Sequence, residues 1–142
     1  ILSELQRNGR ASLQEISQAV GLSSTPCWTR MKRMEDTGVI ERYTVNLNAE
    51  ALGLGETVMV QVTLDSHSDN TLEKFGEILA SIPEVVEAYL VSGEYDYLLR
   101  IAVKDTKDYE RLLREKLYRI KGIRHSKSSF VLRTLKKADL PI

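Results

Sequence analysis

Residues 24–34 have the clearest chemical character of any stretch in the chain. Their sequence is Ser-Thr-Pro-Cys-Trp-Thr-Arg-Met-Lys-Arg-Met, with three cations and no acid. At about 100° per residue, Cys27, Met31 and Met34 share one face of a helix. The opposite side carries Thr25, Thr29, Lys32 and Arg33, with Trp28 on its flank. A helix of this kind, placed after another helix and a short turn, fits the major groove of DNA.

The residue types on that polar side predict two kinds of DNA contact. Thr25 and Thr29 can meet base edges or thymine methyls, whereas Lys32 and Arg33 can reach phosphate or guanine. Trp28 is expected to pack rather than to stack on a base. The predicted DNA-binding residues are Arg10, Ser24, Thr25, Thr29, Arg30, Lys32, Arg33 and Tyr43, with Arg10 and Tyr43 as flanking phosphate contacts. The alternative is an ordinary amphipathic helix with solvated charges.

A second stretch, residues 91–98, reads Val-Ser-Gly-Glu-Tyr-Asp-Tyr-Leu. Gly93 allows a sharp backbone turn with positive φ. The exposed N–H groups and the carboxylates of Glu94 and Asp96 can together bind a zwitterion, whose carboxylate would meet the backbone donors and whose ammonium group would meet Asp96. The alternative is a plain hairpin turn, and the spacing alone favours that turn.

The sequence gives little support to catalysis or metal binding. His67 and His125 lie far apart without an evident nucleophile, and no glycine-rich phosphate loop is present. No cysteines or histidines have zinc-ligand spacing, so neither an enzyme, a metal site nor a cofactor is predicted. Cys27 is the sole cysteine, which excludes an internal disulfide and leaves a redox role undecided.

Charge is balanced over the whole chain but uneven along it. Residues 51–110 hold twelve acids and four bases, whereas residues 111–142 hold two acids and ten bases. The two regions can attract each other within or between subunits, or form solvated surface. No apolar run approaches the roughly 20 residues that span a bilayer, and no signal peptide is evident. A cytoplasmic protein is the expectation.

Two kinds of periodicity divide the chain into two domains. Residues 1–47 predict a helix-turn-helix domain with a wing. Ser12 and Glu15 are expected to form a capping box, and Ser24 is the expected N-cap of the third helix. Residues 39–47 are expected to form the wing, as a short strand or strand pair. Residues 48–55 are the predicted linker. The domain from 56 to 142 has an apolar period of 2, interrupted by two helices.

The order of elements in residues 56–142 predicts a ferredoxin-like βαββαβ sandwich, and hence an α+β protein. Strands are expected at residues 58–64, 86–90, 97–103 and 124–134. The third is apolar on both faces and therefore central. Asn70 and Glu73 are expected to open the first helix of this domain, and Asp105 to cap the second, which Gly122 ends.

Two motifs make the chain resemble the Lrp/AsnC (leucine-responsive and asparagine regulator, or feast-famine) family of bacterial and archaeal transcription factors. They are Leu-Ser-Ser-Thr-Pro-Cys at residues 22–27, followed by Arg-Met-Lys-Arg-Met-Glu at 30–35, and Leu-Val-Ser-Gly-Glu-Tyr-Asp-Tyr-Leu-Leu at 90–99. The resemblance implies a winged helix-turn-helix followed by an amino-acid-binding domain. It also implies dimers that gather into octamers or other assemblies, with the effector between dimers. The implied effector-binding residues are Gly93, Glu94, Tyr95, Asp96, Ser126 and Ser128.

Together, these features predict a sequence-specific transcriptional regulator that binds double-stranded DNA and an amino-acid effector as a homo-oligomer. The expected location is the cytoplasm, at the nucleoid, with no membrane contact. The alternative is a small-molecule-binding assembly protein whose helical head contacts protein rather than DNA. The sequence leaves open the identity of the amino acid, the operators and the assembly size.

Overall fold

A computed structural model describes all 142 residues, which form two compact units. The first comprises Ile1–Leu47 and Lys136–Ile142, and the second comprises Asn48–Leu135. Residues 136–142, which the sequence pattern assigns to the second domain, thus group with the first unit. Within that unit, the amide of Gln6 donates a hydrogen bond of 3.2 Å to the carbonyl of Leu140.

The first unit consists of three helices: α1 (Leu2–Arg7), α2 (Leu13–Ala19) and α3 (Ser24–Asp36). The predicted capping box of α2 is present. Ser12 Oγ accepts from the backbone N–H of Glu15, and the Glu15 carboxylate accepts from the backbone N–H of Ser12. Gly21, with φ of +67°, makes the sharp turn that separates α2 from α3.

The start of α3 differs from the prediction by one residue. Ser24 is already helical, and Ser23 is the N-cap, with an extended backbone at φ −75° and ψ 162°. The Ser23 carbonyl accepts from the N–H of Cys27, which closes the first turn. Pro26 remains within that turn, where a missing N–H has no cost. Sequence preference alone does not distinguish adjacent serines as caps.

The predicted wing strand is absent from the chain. Residues 41–48 are irregular and donate no backbone hydrogen bonds. Tyr43, Val45 and Leu47 do alternate with polar residues, but all three are more than half exposed. The prediction of a wing strand or strand pair is therefore wrong for the single chain, because a strand pattern needs a neighbouring strand and this chain provides none.

The second unit is a four-stranded antiparallel sheet with two helices. Its elements are β1 (Glu56–Leu64), α4 (Asp69–Ala80), β2 (Val85–Leu90), β3 (Tyr97–Val103), α5 (Thr106–Glu115), a 3₁₀ turn (Leu117–Arg119) and β4 (Ile123–Phe130). The strand order β2-β3-β1-β4 confirms the predicted ferredoxin-like fold. It also confirms that the third strand is internal.

Several boundaries in this unit differ from the prediction, and β1, β2 and β4 begin one or two residues early, at Glu56, Val85 and Ile123. Helix α4 begins at Asp69, one residue before Asn70, because Ser68 is the cap. Helix α5 has the predicted Asp105 cap but ends at Glu115, well before Gly122, and a 3₁₀ turn follows it. β4 ends at Phe130 rather than at residue 134, and the next residue, Val131, still donates its N–H to the carbonyl of Thr57 on β1 at 2.9 Å.

The core of the second unit lies between the sheet and the two helices. Val58, Val60, Val62 and Leu64 alternate along β1 and are almost completely buried, as are Leu99 and Ile101 of β3 and Leu79 and Leu112 of the helices. The other face of the sheet has no helix, and its residues on β1 and β3 are only half-buried. No helix of the chain is long and apolar enough to cross a bilayer.

Candidate DNA interface and effector site

Helix α3 has the two faces that the sequence predicts. Cys27 is fully buried, and Met31 and Met34 are half-buried on the same side. All eight residues predicted to contact DNA are exposed, namely Arg10, Ser24, Thr25, Thr29, Arg30, Lys32, Arg33 and Tyr43. A polar, cationic helix face is thus accessible within the first unit, as insertion into a groove requires.

Two of these eight side chains already have partners in the chain. Lys32 Nζ lies 2.8 Å from the carboxylate of Asp36, one helical turn on, and this contact raises the pKa of the lysine. The Tyr43 hydroxyl donates a hydrogen bond of 2.9 Å to Glu35. Burial, followed by this carboxylate, raises the pKa of Tyr43. Both acids weaken the positive potential that these residues offer to phosphate.

Three of the four cations among these eight residues have no carboxylate partner, namely Arg10, Arg30 and Arg33. A free guanidinium can form a bidentate contact with phosphate or with guanine O6 and N7. The three arginines, unlike Lys32, therefore keep their full charge available to an anion. Thr29 also has an internal bond, since its hydroxyl donates to the carbonyl of Thr25 at 3.0 Å. Its methyl group stays available to a thymine methyl.

Trp28 is 56% exposed, so the expectation that it packs is wrong for this chain. The reason is its position on the flank of α3, between the buried and the polar faces. It is the sole tryptophan of the chain, and its indole therefore reports directly on the surroundings of α3.

The hairpin after β2 is tied to the centre of the sheet. Gly93 has φ of +120°, which favours glycine. The carbonyl of Asp96 accepts from the N–H of Val91 at 2.9 Å, which closes the hairpin. The N–H of Asp96 donates to the carbonyl of Val62 on β1, also at 2.9 Å. The end of this turn is therefore held in place.

The carboxylate of Asp96 is committed to the protein itself. One oxygen accepts from the N–H of Leu64 at 2.8 Å, and the other lies 2.9 Å from His67 Nε2. The bond from Leu64, more than the contact with His67, lowers the pKa of Asp96. Glu94 is exposed and has no partner in the chain. Of the two acids, Glu94 is thus the one free to meet a ligand's ammonium group.

The two serines on β4 have different surroundings. Ser128 Oγ lies 2.5 Å from the hydroxyl of Tyr109 on α5 and so has a structural partner. Ser126 lines a cavity of about 340 Å³ at the start of β4. The other lining residues are Leu117, Tyr118, Ile120, Ile123, Arg124 and His125. The guanidinium of Arg124 is exposed and unpaired, and its place beside Ser126 was not predicted, because no motif distinguishes it from other surface cations.

The sheet register brings the hairpin and Ser126 to the same end of the sheet. Ser126 lies opposite Val62 on one side of β1, and Asp96 bonds to Val62 from the other side. Neighbouring strands are about 4.8 Å apart, so the backbones of Ser126 and Asp96, on opposite sides of β1, are about 10 Å apart. Nowhere in the chain do three His, Cys, Asp or Glu side chains gather as a metal site would require.

Sequence profiles for known families match both units. The profile of the Lrp/AsnC ligand binding domain matches residues 57–141, and that of a winged helix-turn-helix DNA-binding domain matches residues 1–41. This chain belongs to the Lrp/AsnC family. The leucine-responsive regulatory proteins of Escherichia coli K12 and Klebsiella pneumoniae are each 39% identical to it over 139 residues, 98% of this chain and 85% of theirs.

Solved structures of Lrp/AsnC proteins have the same fold. The AsnC family regulator from Agrobacterium tumefaciens matches with a TM-score of 0.92 and 37% identity, over 99% of this chain and 92% of that one. The regulator NMB0573 from Neisseria meningitidis, in complex with L-Met, matches with a TM-score of 0.90 and 33% identity, over 96% and 89%. A feast or famine regulatory protein from M. tuberculosis, complexed with L-methionine, has a TM-score of 0.84 and 29% identity, over 99% and 93%.

Membership of the Lrp/AsnC family confirms the predicted class of function. The chain is a DNA-binding transcriptional regulator with an amino-acid ligand-binding domain, and it is not an enzyme. The alternative, a helical head that contacts only protein, is not favoured.

Proposed function

We propose that this regulator changes its DNA affinity or its assembly when an amino acid binds at the end of the sheet formed by the hairpin and the start of β4. The observation that carries the proposal is the pair of free, opposite charges at that end, Glu94 and Arg124. A zwitterion satisfies both at once, with its ammonium group on Glu94 and its carboxylate on Arg124 and the hairpin N–H groups.

An amino acid with an apolar side chain is the best match to this site. The cavity beside Ser126 is lined by Leu117, Ile120 and Ile123, which remove an apolar side chain from water. The two L-methionine complexes among the similar structures support the same class of ligand. We therefore propose methionine or leucine as the first ligands to test.

The predicted residues divide by role in this proposal. Gly93, Glu94, Tyr95 and Ser126 line the ligand, whereas Asp96 and Ser128 hold the hairpin and β4 in position through their internal bonds. This division revises the expectation that Asp96 binds the ammonium group.

A homodimer is the proposed minimal unit. The alternating side chains of Tyr43, Val45 and Leu47 are exposed, although residues 41–48 have the pattern of a strand. The helix-free face of the sheet is also only half-buried. Both surfaces become covered if a second copy packs on them. The family resemblance extends this to octamers or other assemblies of dimers, with the effector between dimers.

In the proposed DNA complex, α3 of each subunit enters a major groove. The two helices of a dimer then lie about 34 Å apart, or a multiple of that distance, to meet half-sites on one face of the duplex. Thr25 and Thr29 face base edges, and Arg10, Arg30 and Arg33 supply the charge. An effector that binds better to one arrangement of the dimers shifts the population toward it. We propose the cytoplasm, at the nucleoid, as the site of action.

Calorimetry of the intact chain against the twenty amino acids tests the ligand. We expect heat from one or a few apolar amino acids, and loss of that heat in Glu94→Gln. Lys107→Gln is the control, because this exposed lysine on α5 has no charged partner and lies outside the cavity. Absence of binding by all twenty, or full binding by Glu94→Gln, contradicts the proposed site.

A further inference from the structure

A second cavity in the sheet unit is explained by neither site described above. It has a volume of about 660 Å³ and lies between α4 and the residues that follow α5. Its size is within the range of small-molecule sites, about 300 to 1,000 Å³. The amino-acid site lies at β4 and the hairpin, and the two cavities share only Ile120 among their lining residues.

The charge that lines this cavity has a single sign. Four cations line it, namely Lys74, Lys116, Arg119 and Lys121, and no carboxylate does. Lys116 is compensated, because its Nζ lies 2.9 and 2.7 Å from the two oxygens of Glu84. The other three have no ion-pair partner, although the chain has as many acids as bases. A concave wall with unpaired charge of one sign concentrates anions.

The floor of the cavity is apolar. Phe75 is buried beneath it, Ile78 is 42% exposed, and Ile120 is half-buried. Asn70 and Thr71 add neutral polar groups at one side. A bare inorganic anion gains nothing from an apolar floor, whereas an anion with a hydrocarbon body removes that body and the floor from water together.

We propose that this cavity binds a small organic anion that has an apolar body and no ammonium group, such as a branched 2-oxo acid. A free amino acid is a poor fit, because no lining carboxylate can accept hydrogen bonds from its ammonium group. A 2-oxo acid with the same side chain keeps the carboxylate and lacks that group. Reactions that remove the amino group from apolar amino acids produce such ligands. The regulator then detects both an amino acid and its deaminated product, at separate sites.

The test is calorimetric titration of the full chain with 4-methyl-2-oxopentanoate. The informative variant is Lys74→Gln/Lys121→Gln, which removes two exposed charges from the cavity rim. We expect affinity to fall about tenfold or more, since charge-assisted hydrogen bonds are lost. The matched control, Lys107→Gln/Lys137→Gln, removes the same charge from exposed positions elsewhere and should leave affinity within about twofold.

A second variant keeps the rim intact and changes the floor. Ile78→Glu places a carboxylate in the cavity at an already exposed position, so the fold should tolerate it, and binding of the oxo acid should be lost. Unchanged binding in both variants overturns the proposal. Equal displacement of the oxo acid by inorganic phosphate also overturns it, because the cavity then only attracts counterions.

Binding of the oxo acid and the response to an amino acid can be measured separately in one variant. The response of DNA binding to leucine or methionine is measured in the same Lys74→Gln/Lys121→Gln variant, where it should persist. Loss of oxo-acid binding with a normal amino-acid response supports two separate sites. Competition between leucine and the oxo acid for the cavity at Lys74 and Lys121 would contradict the proposal of a separate oxo-acid site. It would not contradict the proposed amino-acid site at Glu94.

Discussion

Replacement of Asp96 by alanine should destabilise the sheet unit without removing a direct ligand contact. The substitution leaves the N–H of Leu64 without its acceptor and removes the contact with His67. The Asp96 side chain is only 19% exposed, so water replaces these bonds incompletely. A hydrogen bond to a charged group contributes about 1.5 to 3 kcal/mol, and we expect a loss of about 2 kcal/mol in the free energy of unfolding.

The same bonds predict a dependence on pH. They lower the pKa of Asp96 in the folded state, so its contribution is fully present above the ordinary pKa of an unfolded aspartate, about 3.9. The contribution is lost as pH falls through the lower, folded-state pKa. The difference in unfolding free energy between the parent protein and Asp96→Ala should therefore be constant near neutral pH and shrink in acid.

Urea unfolding followed by circular dichroism, at pH 7 and at several acidic values, measures this difference. Glu94→Gln is the matched control, because Glu94 lies two residues away and is exposed without a partner, so its unfolding free energy should change by less than about 0.5 kcal/mol. If Asp96→Ala is as stable as the parent at pH 7, the internal bonds of Asp96 do not stabilise the sheet unit.

Three further predictions concern the first unit. Arg33→Ala should weaken DNA binding and reduce the slope of log affinity against log salt by about one. Lys32→Ala should have a smaller effect, because Asp36 already pairs with that lysine. Equal effects of the two substitutions, in gel shifts at several salt concentrations, would refute this difference. Trp28 emission should change when duplex DNA is added, since the indole is exposed on α3, and an unchanged spectrum at saturating DNA would place α3 away from the duplex. Val45→Asp should weaken the proposed dimer in analytical ultracentrifugation, because it puts a charge among the exposed apolar side chains of residues 41–48. An unaltered association constant would mean that the second copy packs elsewhere.

Features set by neighbouring residues were predictable from the sequence. The capping box of Ser12 and Glu15 needs only a spacing of three, and the two faces of α3 follow from helical periodicity. The internal position of β3 followed from its apolar residues on both faces. The pairing of Lys32 with Asp36 was not predicted, although residues four apart on a helix are neighbours.

Features set by contacts distant in sequence were not predictable. Asp96 bonds to Leu64, 32 residues away, and no local pattern shows that its carboxylate is already used. The grouping of residues 136–142 with the first unit depends on contacts such as that between Gln6 and Leu140. Residues 41–48 have a strand pattern, yet they form no strand, because no other segment of the chain pairs with them. Periodicity describes one segment and not what it pairs with.

Fluorescence anisotropy shows directly whether an amino acid bound at Glu94 controls DNA binding. It uses a labelled duplex from the regulator's own upstream region, with and without the amino acid that binds in calorimetry. We predict that the amino acid changes the apparent Kd for DNA in the parent protein, and that Glu94→Gln binds the duplex equally well but no longer responds. Failure of the parent to bind the duplex at any salt concentration would contradict the role of α3 in DNA binding, and a full response in Glu94→Gln would contradict the role of Glu94.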